Sequence, residues 1–101
     1  MANTELSKGN PVKQIFTTQM GDQEEILVPR NHNVTAAIKC GSSDVISIKA
    51  KLVKDSEEYV ILNEISEDFF NSLVSDVYSF TLNIVTNVSN NITFELISSP
   101  K

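Results

Sequence analysis

The sequence predicts a mainly β fold, an antiparallel β-sandwich or barrel of about seven strands with one short helix near residues 65–77. Three observations lead there. Apolar and polar residues alternate with a period of two over several segments, the pattern of strands with one buried face. The Val, Ile, Thr, Ser and Asn content favours strands and turns over helices. Only one stretch repeats its apolar residues every four positions.

Residues 1–11 are polar, with Gly9-Asn10-Pro11 as a breaker, and are expected to form a flexible N-terminal arm ahead of a single domain over 12–101. Val12–Thr18 follows as a first strand. Met20-Gly21-Asp22 makes a turn before Glu25–Val28, and Pro29 stops the run, so the two segments suggest a hairpin. Asn31-His32-Asn33 reads as a loop. Val34, Ala36, Ile38 and Cys40 then alternate with polar or small residues, which puts Cys40 on the apolar face. After Gly41-Ser42-Ser43-Asp44, the residues Ile46, Ile48, Ala50 and Leu52 point inward while Ser47, Lys49 and Lys51 point out. Asp55-Ser56-Glu57 turns the chain into Glu58–Asn63, whose facing the pattern leaves open.

Ile65, Phe69, Leu73 and Val77, joined by Phe70 and Val74, form the helical stripe; Ser66 can cap it, with Glu67 and Asp68 in the first turn. Tyr78, Phe80, Leu82 and Ile84 alternate next, followed by Ile92, Phe94 and Leu96. Asn87–Asn91 lies between, rich in residues that tolerate a left-handed backbone, and a closing hairpin is expected. The likeness of Asp22–Val28 to Asp55–Ile61 is an acidic turn before an apolar strand, a common arrangement that does not require a repeat.

At 101 residues there is room for one core, and a domain this size buries only about two thirds of its unfolded surface. A partner subunit would add stability. The 41% hydrophobic and 21% charged content is ordinary for a globular chain. With 8 basic against 13 acidic residues the net charge is −5, which repels nucleic acid and anionic membranes. Lys49, Lys51 and Lys54 are interleaved with Asp44, Asp55, Glu57 and Glu58, a solvated mixed-charge face. No apolar run has the length of a membrane-spanning helix, and Met1–Asn10 does not look like a secretion signal. Without such a signal the sequons at Asn33, Asn87 and Asn91 have no functional weight.

Cys40 is the only cysteine, so an internal disulfide is ruled out; on a buried face it acts as a small hydrophobe rather than a nucleophile. His32 is the only histidine and sits in a loop, with no spacing that assembles a triad. Asp22, Glu24 and Glu25, or Asp55, Glu57 and Glu58, could offer oxygens to calcium, but neither group has the spacing or glycine of a calcium hand. Gly9, Gly21 and Gly41 are isolated and make no phosphate loop. No catalytic, cofactor-binding or metal residue is assigned, and the chain is expected not to be an enzyme. Phe69, Phe70, Phe80 and Phe94 fall on apolar faces, which leaves Tyr59 and Tyr78 as the rings available to a ligand or interface.

The polar arm, the short Thr/Ser/Asn-rich strands, the short helix and the segment Tyr78-Ser79-Phe80-Thr81-Leu82-Asn83-Ile84-Val85-Thr86 resemble small virion proteins of tailed bacteriophages. The resemblance covers the last third of the chain. It implies a β-sandwich present in many copies as a capsid decoration or tail subunit, without a cofactor, in the virion or host cytoplasm. Protein subunits, in a homo-oligomer or larger assembly, are then the expected partners, through sheet edges and the arm. The alternative is a monomeric small-ligand or glycan-binding module, calcium-assisted, using Tyr59, Tyr78 or the acidic turns. A small inhibitor whose acidic surface occupies a basic site is a third reading.

Overall fold

The computed structural model of the chain describes residues 4–6, 11–74 and 76–101. Ten strand segments run in the order β1 (Thr4–Glu5), β2 (Val12–Phe16), β3 (Gly21–Asp22), β4 (Ile26–Leu27), β5 (His32–Lys39), β6 (Val45–Lys51), β7 (Glu58–Ile65), β8 (Phe69–Ser72), β9 (Ser79–Thr86) and β10 (Ile92–Pro100). The excess over the expected seven comes from β1, β3 and β4, which have two residues each. The strands build two sheets. One has the order β1-β4-β9-β6-β7, with β3 also on β9; the other has the order β2-β10-β5-β8. All pairings are antiparallel except that of β1 with β4.

Period-two alternation gives each sheet one apolar side, and the two sides share a single core in a sandwich-like arrangement. Ile46, Ile48, Phe80, Leu82 and Ile84 come from the larger sheet; Val34, Ala36, Ile38, Ile92, Phe94 and Leu96 come from the smaller. These are the residues the alternation turns inward. Leu52 departs from that pattern: it lies just past β6 and is 61% exposed.

The helix expected over residues 65–77 is absent, and no helix occurs among the described residues. The segment contains β8, which pairs with β5. The reason lies in the spacing. Positions 65, 69, 73 and 77 differ by four, a multiple of two that fits extended backbone as well as a helix, and here the four residues reach the core from different elements: Ile65 ends β7 in the larger sheet, Phe69 opens β8 in the smaller, and Leu73 and Val77 lie outside the strands. Ile65, Phe69, Leu73 and Val77 do pack against the core, while Phe70 and Val74, which a helical stripe would have buried, are exposed.

Neither expected terminal hairpin forms. β2 pairs with β10 in one sheet, and β4 pairs with β9 in the other; β9 and β10 likewise sit in opposite sheets. The segment 87–91 therefore carries the chain across the sandwich, with Asn90 in the left-handed region at φ 59°. The turn at 41–44 makes the same crossing between β5 and β6. Among neighbouring strands, β6 and β7 form the hairpin, through the turn at Asp55-Ser56-Glu57. Two register shifts along that pair reset the alternation, which is why the facing of Glu58–Asn63 cannot be read from sequence.

Residues 1–3 and 7–10 of the expected arm lie outside the described residues. In its described part, Thr4–Glu5 pairs with Ile26–Leu27 and Leu6 donates its N–H to the Leu27 carbonyl at 3.0 Å. The Leu6 side chain is 1% exposed and belongs to the core. His32 and Asn33, read as loop, instead open β5.

Candidate functional site

The chemistry-bearing residues are held apart by the fold. His32 opens β5 and Cys40 follows its last residue, so an eight-residue strand of about 27 Å separates imidazole from thiol. A Cys–His pair cannot act across that span. Burial, followed by the charges of Asp44, Asp68 and Glu67, pushes the Cys40 thiol up from its ordinary value, which lowers its thiolate content. The His32 ring is 2.8 Å from the carbonyl oxygen of Arg30.

The acids of the first turn are engaged within the larger sheet. Asp22 accepts from Asn83 Nδ2 at 2.7 Å and from Lys49 Nζ at 3.0 Å, and these bonds hold its carboxyl below the usual range. Glu25 accepts from Ser79 Oγ at 2.5 Å and lies 3.6 Å from Lys51 Nζ. The outer face of that sheet is thus closed by hydrogen bonds and ion pairs over small buried residues, Ser47, Ser79 and Thr81. Among the described residues no three His, Cys, Asp or Glu side chains gather as a metal site.

The role of Asp44 emerges from the structure. It is fully buried, and its carboxylate accepts from Gly41 N at 2.6 Å, Val88 N at 2.6 Å, Ser89 N at 2.9 Å and Ser89 Oγ at 2.5 Å. Burial alone would raise its pKa, but the four donors outweigh burial and hold it at about 2. Both crossing turns at that end of the sandwich are tied to this one group. The one legible hint is the acid placed three residues after Gly41, at the close of a turn.

Tyr59 and Tyr78 line two adjoining hollows at one end of the sandwich. Tyr59 stands opposite Ala50 at the start of β7, 55% exposed, in an apolar cleft of about 330 Å³ with Leu52, Ile61, Val74 and Val77. Tyr78 is half-buried and lines a depression of about 710 Å³ with Pro29, Arg30, Val53 and Lys54; Leu52 and Val77 border both hollows. Tyr78 is fixed by its backbone, which donates to the Lys51 carbonyl at 2.8 Å and accepts from Val28 N at 2.9 Å. Leu52 and Val53, exposed in the loop after β6, extend this apolar end; Val60, opposite Lys49, is exposed on the other face of β7, a strand that pairs only with β6 among the described residues.

A second surface was hidden by the helical reading. Phe70 projects from β8 on the outer face of the smaller sheet and is 80% exposed. The register puts Ala37 beside it, then Glu95, then Lys13. Both surfaces offer apolar contact. No family model, no curated protein and no solved structure matches this chain.

Proposed function

We propose that the chain is a non-enzymatic assembly subunit acting through protein–protein interfaces, of the kind that tailed bacteriophages use as a capsid decoration or tail protein. The observation that carries the reading is the cluster of exposed apolar residues Leu52, Val53 and Tyr59 at one end of the sandwich, alongside the edge of β7 that no described strand covers. Contiguous apolar surface of this kind marks contact sites, and an open edge can accept a strand from a neighbour. The bacteriophage part of the reading rests on the resemblance of Tyr78–Thr86 and its surroundings.

Light scattering after size exclusion tests it. At micromolar concentration the chain should form a species larger than a monomer or co-sediment with particles, and Leu52→Lys with Tyr59→Lys should weaken the binding to particles without loss of the β spectrum. A chain that stays monomeric and joins no particle would count against the assembly role. The gene neighbourhood checks the viral part independently, because it requires head or tail genes alongside.

A further inference from the structure

We propose that the outer face of the smaller sheet docks on the same face of a second copy of this chain, forming a two-fold dimer centred near Phe70. The inference rests on the reading of the chain as an assembly subunit and names the surface and the partner.

The two outer faces of the sandwich differ in kind. On the larger sheet, Lys49 pairs with Asp22 and Lys51 with Glu25. On the smaller sheet, Lys13 and Glu95 stand opposite each other on β2 and β10, yet neither they nor Lys39 make an ion pair among the described residues. Apolar side chains lie between these charges. Ile15 and Ile97 point outward with Phe70, and the small residues Thr35, Ala37 and Thr93 leave the centre of the face low. Depressions of about 490 and 160 Å³ flank Phe70, both bordered by Ala37 and Glu95.

Charge selects the occupant. The chain carries −5 overall, but the charged groups around the larger depression are Lys13, Lys39, Asp68 and Glu95, two of each sign. A basic partner would gain more from the acidic remainder of the molecule than from this neutral face. The matching surface needs an exposed aromatic ring, a shallow hollow to receive one, and charges of both signs. This chain presents all three on one face. Two-fold symmetry then makes every contact twice, ring into hollow and cation to anion in both directions.

The test is sedimentation or light scattering of the full chain across a micromolar range, with four variants. Phe70→Ala should raise the dimer dissociation constant about thirtyfold or more, as expected of a central aromatic anchor. Its melting temperature at low concentration should not change, because the ring is already in water. Lys13→Glu and Glu95→Lys each give the face a net charge of one sign, so each alone should be monomeric. An equimolar mixture of the two should dimerise again, a rescue that no effect within one chain can produce. Val60→Lys, on the open edge of β7, should leave the dimer intact. A dimer lost with Val60→Lys and unaffected by the face variants would overturn the inference while leaving the assembly role standing. A wild-type monomer throughout would overturn the inference, and a monomer that also joins no particle would remove the assembly role as well.

Discussion

The carboxylate of Asp44, itself fully buried, accepts four hydrogen bonds. Replacement by alanine strands three backbone N–H groups and a hydroxyl, so Asp44→Ala should cost about 2–4 kcal/mol in urea unfolding. The pH dependence has a definite sign. The folded pKa lies near 2, below the ordinary 3.8, so the stabilisation is complete above 3.8 and is lost as pH falls towards 2. Urea midpoints measured from pH 5 down to pH 2 should therefore fall, and Asp44→Asn should flatten that part of the curve. Cys40 should show the converse behaviour as a reagent. With its thiol pKa raised, alkylation at pH 8 should be slower than for a free thiol, and unfolding should abolish the difference.

Among the elements, β8 separates a strand from a helix most directly. Phe69 and Phe70 are neighbours in sequence but face opposite sides of the sheet, one packed on the core and the other in water. Phe69→Ala should cost about 2 kcal/mol or more, whereas Phe70→Ala should leave monomer stability within about 0.5 kcal/mol. A helix with the expected stripe would make both costly. The short β1 segment bears on a further point. Leu6→Ala empties a core site and should cost about 2–3 kcal/mol by thermal or urea unfolding, far from the null effect expected of a flexible arm. What was legible at this scale was the facing of each regular strand. Val34, Ala36 and Ile38 and the alternating residues of β6, β9 and β10 were readable because side-chain direction is a local property of extended backbone. The four-residue spacing at 65–77 was not, because it satisfies both periods. Nor was the facing of Glu58–Asn63, where the bulges break the alternation.

At the scale of the molecule, sequence alternation says which side of a strand is apolar and nothing about which strand lies beside it. The segment 87–91 could reverse in the plane of one sheet or cross to the other, and Asn90 suits either path. The buried clamp of Asp44 on Val88 and Ser89 accompanies the crossing, and no spacing rule reveals it. Of the candidate site, Tyr59 and Tyr78 were readable as aromatic residues near strand ends. Phe70 was missed because its exposure follows from the strand assignment. The pairing pattern has a kinetic consequence: with β2 on β10 and β3 and β4 on β9, many contacts join residues far apart in sequence. Refolding by stopped flow should take milliseconds to seconds, the range of non-local β topologies, rather than microseconds.

The place of β10 between β2 and β5 also bears on synthesis. β2 pairs only with β10 among the described strands, so until Ile92 and the residues after it have been made, Val12–Phe16 has no neighbour and Phe16 has no sheet to cover it. The smaller layer is therefore completed late, and a growing polypeptide leaves an apolar strand open to chaperones or to other unfinished copies. Ribosome-bound chains halted before Ile92 should accordingly be protease-sensitive along β2, and chains extended past Pro100 and clear of the ribosome should be protected there.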